Sequence, residues 1–150
     1  MKTQRFLMIL VISFCMACQI NNGNDMPTLS SLKGTKWKLA GIVDNETGVL
    51  KVLEPNDCVE CYTLTFDTDS TFFTYSSYNH LGGKFVIDYD KCSFQLTDFG
   101  GTKAGEFGDG YLYVNPFWKR TIQSFSYMEN ELKLFFNENK SYLLFKPKKS

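Results

Sequence analysis

The run ELKLFFNENKSYLLFK, residues 131–146, reads as a β-hairpin, and much of the chain repeats its pattern. Leu132, Leu134 and Phe136 occupy alternate positions, and a second apolar run, SYLLFK, begins after the short polar stretch 137–140. A period of two marks a strand with one buried face, because successive side chains of an extended chain point to opposite sides. So short a connection joins only antiparallel neighbours.

The pattern recurs upstream. Tyr62, Leu64 and Phe66 alternate with Thr63, Thr65 and Asp67. Asp67-Thr68-Asp69-Ser70 then supplies side chains that bond their own backbone in turns, and TFFTYS follows, predicting a second hairpin. Trp37, Leu39 and Gly41 alternate with Lys36, Lys38 and Ala40 in a strand near 35–44. Leu81-Gly82-Gly83 is expected to reverse the chain into KFVIDY, where Phe85, Ile87 and Tyr89 share a face, and SFQLTD sets Phe94 beside Leu96. One segment departs from alternation: Tyr111, Val114, Trp118, Ile122 and Phe125 are spaced as on a helical face. Since Pro116 would interrupt a helix running through it, a short helix is expected to start near Asn115 with Pro116 at its first position. Phe117 and Trp118 would then plug an open end of the sheet. The expected fold is mainly β: a single small antiparallel domain, either a curved sheet or a partly open barrel, with one or two short helices. A lipocalin-like barrel is the runner-up.

The N-terminus carries a different message. Lys2 and Arg5 precede an apolar run from Phe6 to Phe14, too short to span a bilayer and of signal-peptide length. It ends in Cys15-Met16-Ala17-Cys18, which resembles the lipobox of bacterial lipoproteins, with Ala17 before the bond to be cut and Cys18 to be acylated. Cys15 stands where such proteins usually carry Leu. Residues 1–17 are therefore expected to be a signal peptide, 18–30 an acylated cysteine with a polar tether, 31–146 the domain and 147–150 a solvated basic tail. Gln19, unlike the Asp that retains lipoproteins at the inner membrane, points to the outer membrane, and the lack of the acidic cluster that surface-displayed lipoproteins carry after the cysteine, the first acid here being Asp25, points to its periplasmic face.

Loss of the signal leaves 14 basic against 16 acidic residues, a nearly neutral balance that argues against nucleic-acid binding. The remaining 133 residues suffice for one domain and are too few for two of ordinary size. Charges on several strands favour a monomer.

Leu32-Lys33-Gly34-Thr35-Lys36-Trp37-Lys38-Leu39, the strand YTLTF, the turn Ser77-Tyr78-Asn79 before Gly82, Thr102-Lys103, and the series SFSYMENELKLFF and YLLF occur in an order that resembles the META domain, typified by the HslJ heat-shock protein. The likeness covers about residues 30–146. Where that family usually shows Gly-Cys-Asn, this chain has Ser77-Tyr78-Asn79. The resemblance implies a small, mainly antiparallel β domain with one or two short helices, often exported and lipid-anchored, with no established catalytic activity; a non-enzymatic structural or interaction role in the envelope, linked to stress and needing no cofactor, is the expectation.

Three cysteines remain for the domain once Cys18 is acylated. Redox catalysis by Cys58 and Cys61 would need a thiol of depressed pKa, normally at a helix N-terminus, but strand alternation follows Cys61. Zinc could be held formally by Cys58, Cys61, Cys92 and His80, yet an oxidising compartment would consume those thiols first. A structural disulfide is favoured. Loop entropy gives ~2 kcal/mol for Cys58–Cys61 and about 4 kcal/mol for a bridge to Cys92, while proximity favours Cys58–Cys61, which is the expected pair.

His80, in a turn, has no nucleophile elbow to serve. GEFGDG, residues 105–110, offers Glu106 and Asp109, too few oxygens for calcium. No metal site is expected. Aromatic residues, 16% of the chain, exceed what a core of this size demands. Tyr75, Tyr78, Tyr111, Tyr113 and Trp118 are candidates to line a groove for a small hydrophobic ligand, a peptide or an envelope protein.

Overall fold

A computed structural model describes residues 31–149. The signal segment, Cys18 and the tether lie outside the described residues, as does Ser150. Within 31–149, nine strands form one antiparallel sheet. In chain order these are β1 (Lys36–Asp44), β2 (Leu50–Lys51), β3 (Thr63–Phe66), β4 (Thr71–Tyr75), β5 (His80–Asp88) and β6 (Ser93–Gly101), then helix α1 (Gly110–Trp118), then β7 (Ser124–Met128), β8 (Glu131–Phe136) and β9 (Ser141–Pro147). Neighbours in space follow the order β2-β1-β3-β4-β5-β6-β7-β8-β9, and β1 also pairs with β9, from Trp37↔Pro147 to Asp44↔Ser141. A meander whose last strand returns to its first is a partly closed barrel. The weak seam is β6–β7, where Ser93↔Ser124 is the single registered pair.

Both expected hairpins are present. In β3–β4, Thr68 Oγ1 accepts the backbone N–H groups of Ser70 (3.2 Å) and Thr71 (3.0 Å), holding the turn. In β8–β9, Asn137, Glu138 and Asn139 all take left-handed φ values of 55–63°, a conformation asparagine tolerates better than most side chains. Alternation in β1 is strict, with Trp37, Leu39, Gly41 and Val43 buried.

Four expectations need correction. Leu81-Gly82-Gly83 lies inside β5 rather than in a turn. The reversal occurs at 76–79, where Ser76 Oγ accepts N–H bonds from Tyr78 (3.2 Å) and Asn79 (2.8 Å). Gly83 is there for proximity, since a Cβ on it would fall on the carbonyl of Asp98 in the next strand. The helix starts at Gly110, five residues early, with Pro116 inside it. A helix this short forfeits one backbone bond at Pro116, and burial of its inner face outweighs that loss. Phe125, read as helical, belongs to β7 and pairs with Leu134 of β8. The tail is docked as far as Lys148, whose N–H donates to the Lys36 carbonyl (2.9 Å) and whose ammonium meets Glu60 at 2.6 Å.

The barrel interior is filled by rings. Phe66, Phe94, Phe117, Phe145 and Tyr113 are fully buried. Phe85 stacks on Phe94 with centroids 5.1 Å apart, and Phe66 meets Phe85 edge-on at 5.3 Å. Such pairs contribute about 0.5–1.5 kcal/mol each beyond the area they bury.

Candidate functional site: the lid over one end of the barrel

Helix α1 closes one end of the barrel. Tyr113, Val114 and Phe117 face inward and are buried. Phe117 stacks against Phe99 of β6 at 5.4 Å and leans on Phe72 of β4 at 5.9 Å. Tyr113 descends further, its hydroxyl 2.5 Å from Thr74 Oγ1 and 3.2 Å from the Thr63 carbonyl. Burial pushes its pKa up, because a phenolate there would lack water. Tyr113 therefore belongs to the core and lines no open groove.

A strap, residues 102–109, ties the lid down. Its anchor is Glu106, whose carboxylate accepts Ser76 Oγ (2.8 Å) and Asn79 Nδ2 (2.6 Å) on Oε1, and Ser77 Oγ (2.8 Å) on Oε2. Ala104 N donates to Asn79 Oδ1 and Phe107 N to Ser77 Oγ, at 2.8 and 2.9 Å. The 76–79 turn and the strap thus satisfy one another's polar groups. Asp109, at the helix start, accepts the Glu54 N–H at 3.1 Å and the Lys51 ammonium at 3.2 Å. That backbone bond, helped by Lys51, lowers the Asp109 pKa. Gly110 has no room for a side chain: a Cβ would collide with Ser77 Oγ and the Glu106 carboxylate.

Cys58 and Cys61 are joined in a disulfide, with Cα atoms 5.4 Å apart. Lys38 of β1 donates to the Cys58 carbonyl at 2.7 Å and also to the Cys61 carbonyl, fixing the bridged loop to the barrel wall. Burial lowers the Lys38 pKa; Lys148 adds to this and Glu60 opposes it. Tyr62, left-handed at φ 55°, follows Cys61 and donates its hydroxyl to the Glu54 carbonyl. Burial pushes the Tyr62 pKa up to about 12. Cys61 Sγ sits 3.7 Å from the Ser77 carbonyl, so the disulfide loop abuts the strapped turn. Cys92 lies in the β5–β6 turn, the length of β5 away from that end, and His80 stands against Tyr75 with ring centroids 4.3 Å apart. Among the described residues no group of three or more His, Cys, Asp or Glu side chains could hold a metal ion.

The candidate aromatic residues divide. Tyr111 and Trp118 are exposed on the outer face of α1, 61% and 37% accessible. Tyr78 projects from the 76–79 turn, and Tyr75 is on β4 beside His80. Sequence reasoning missed Phe107 on the strap and Leu112 on the helix, both exposed. A strict helical count from Gly110 would have found Leu112. Phe107 had no periodic signal. A recess of about 30 Å³ between β1 and the disulfide loop, bounded in part by Lys38, Leu53 and Tyr62, has room for roughly one water molecule.

No protein-family model matches the chain. A protein from Tannerella forsythia, described as a candidate lipoprotein, is 30% identical over 142 residues, covering 92% of this chain and 89% of its own length. Among solved structures, the NMR structure of a protein from Burkholderia xenovorans superposes with a TM-score of 0.62 at 16% identity, over 87% of this chain and all of the other. The crystal structure of a DUF4847 family protein from Bacteroides vulgatus superposes with a TM-score of 0.54 at 16% identity, over 79% of this chain and 96% of the other. These two likenesses are of fold alone.

Proposed function

The chain belongs to the same lipoprotein family as the Tannerella forsythia protein, and on that premise we propose that it is a non-enzymatic interaction domain held in the cell envelope by acylated Cys18. The observation that carries this reading is the family membership, taken with the lipobox-like Cys15-Met16-Ala17-Cys18. Two or three acyl chains anchor durably where one does not, at about 0.8 kcal/mol per buried methylene. A lipid anchor places the domain on the oxidising side of the inner membrane, where a disulfide such as Cys58–Cys61 persists. We place it at the outer membrane because Gln19 is not the retention signal for the inner one, and on the periplasmic face because no acidic cluster follows Cys18, the first acid being Asp25. META kinship is the finer family reading, supported by the order of its motifs from Leu32 to Phe145.

The lid supports an interaction role over a ligand-carrying one. Its inner rings fill the barrel, while Phe107, Tyr111, Leu112 and Trp118 are presented to solvent. The test is metabolic labelling with an alkyne palmitate analogue. The wild-type chain takes up label and fractionates with membranes, and Cys18→Ser does neither. An unlabelled wild-type chain, soluble with its leader intact, overturns the proposal.

A further inference from the structure

The outer surface of the lid brings exposed aromatic rings and cations together. Tyr111 and Trp118 stand seven residues apart on α1, so their side chains share one helix face about 10 Å apart. The strap runs beside the helix: Phe107 lies at its start, where Gly110 N donates to the Phe107 carbonyl, and Lys103 lies at its end. The Lys103 ammonium is 5.2 Å from the centre of the Trp118 ring. Lys119 and Arg120 follow directly, both exposed. Among the described residues none of these three cations is in an ion pair, although most other lysines are. The nearby carboxylates are occupied, Glu106 by the 76–79 turn and Asp109 by Lys51. The face therefore combines a convex apolar ridge with uncompensated positive charge, although the whole chain is neutral.

We infer that this face docks on an anionic lipid surface, the bilayer to which the chain is anchored. The inference rests on the anchoring proposed above. Trp and Tyr are the side chains suited to a membrane interface, apolar in body and polar at the tip. Lysine and arginine beside them pair with anionic headgroups while their stems lie along the apolar ridge. A bilayer accepts such a ridge without the complementary groove that a protein partner would have to supply. The length of chain before the domain permits the geometry. Ser31 sits at the opposite end of the barrel, donating to Asp69 Oδ1 in the β3–β4 turn at 2.5 Å. The lid is about 20 Å away, the length of five-residue β4 together with the ends of its two turns. The thirteen residues 18–30 reach at most roughly 45 Å, enough for the barrel to lie down with its lid on the membrane. Tethering also keeps the local concentration of bilayer high, so a weak patch suffices.

Fluorescence separates docking from anchoring, because Trp118 is exposed while Trp37 is 2% accessible inside the barrel. The full acylated chain is reconstituted in phosphatidylcholine vesicles, with or without phosphatidylglycerol, containing brominated acyl chains as quencher. The Trp118 signal is taken as the difference between wild type and Trp118→Phe. Expected is several-fold stronger quenching of that signal in the anionic vesicles, abolished in the Lys103→Glu/Lys119→Glu/Arg120→Glu variant, which floats with vesicles and keeps the wild-type circular dichroism. A chain that floats while its Trp118 signal ignores the brominated lipid overturns docking and leaves anchoring intact. A Trp118 signal that responds to soluble envelope proteins and not to lipid overturns it in favour of a protein partner. With Cys18→Ser and excess anionic vesicles, quenching of Trp118 upholds docking even if the wild-type chain proves not to be acylated.

Discussion

Removing the Glu106 carboxylate is expected to destabilise the domain by about 2–3 kcal/mol. Three side-chain donors converge on it, from Ser76, Ser77 and Asn79. Hydrogen bonds to a charged acceptor contribute about 1.5–3 kcal/mol each, so simple addition for Glu106→Ala would give roughly 5–9 kcal/mol. The sum overstates the loss because two donors keep a second acceptor. Ser76 Oγ also reaches the Asn79 carbonyl at 3.4 Å, and Asn79 Nδ2 donates to the Ala104 carbonyl at 2.9 Å. Ser77, half-buried, turns to water. For a domain of this size the melting temperature should fall by about 10 °C. Calorimetry on the chain lacking its signal peptide measures that, and amide exchange locates it. Protection should be lost at 76–79 and 102–109 first, while β8 and β9 exchange at wild-type rates relative to global unfolding. Glu106→Gln, which keeps an acceptor for Ser76 and Asn79, should recover part of the loss. A melting shift under about 2 °C with unchanged exchange in the strap would refute the claim that Glu106 holds the lid.

Three further outcomes can be checked with the same material. Unfolded tyrosine ionises near pH 10 while buried Tyr113 stays neutral, so the unfolded state sheds the proton first and stability declines as pH rises above about 10, by about 1.4 kcal/mol per pH unit; urea titrations of wild type and Tyr113→Phe should show the steeper decline in the wild type. Phe117→Ala, which empties a fully buried site against Phe72 and Phe99, is expected to cost about 3–5 kcal/mol, whereas Trp118→Ala one residue later, which loses an edge contact to Phe99 at 4.8 Å, should cost about 1–2 kcal/mol by the same denaturation curves. Replacing Cys58 and Cys61 together by serine should lower stability by about 2 kcal/mol, and the oxidised wild type should give a peptide linking the two in a non-reducing digest.

How far the sequence could be read depended on the range of the interactions involved. Hairpins β3–β4 and β8–β9 were legible because their turns and alternating faces are local. The strand β7 was not: Ile122 and Phe125 are three apart and both buried, which mimics a helix, although Ile122 lies in a loop and Phe125 in the sheet. Gly82 and Gly83 signalled a turn by composition, whereas their role is to let β4 and β6 approach β5 closely. The start of α1 was hidden because Pro116 is the stronger local mark, while the features that set the start, Asp109 with Glu54 and Gly110 against Ser77, involve residues far apart in the chain. For the same reason Glu106 read as a stray acid in a glycine-rich loop. Its partners stand 27–30 positions away. Of the candidate rings, the exposed Tyr78, Tyr111 and Trp118 were identifiable by type, and Tyr113 could be told from them only by its depth under the lid.

The pairing of β1 with β9 has a consequence for biogenesis. The first strand to leave the ribosome finds its seven-residue partner only when the last strand has arrived, and Lys148 then ties to Lys36 across nearly the whole polypeptide. Ring closure of such high contact order is slow and cannot be completed before the last strand has been synthesised. The local hairpins β3–β4 and β8–β9 can therefore form first, and the barrel closes around them as a final step.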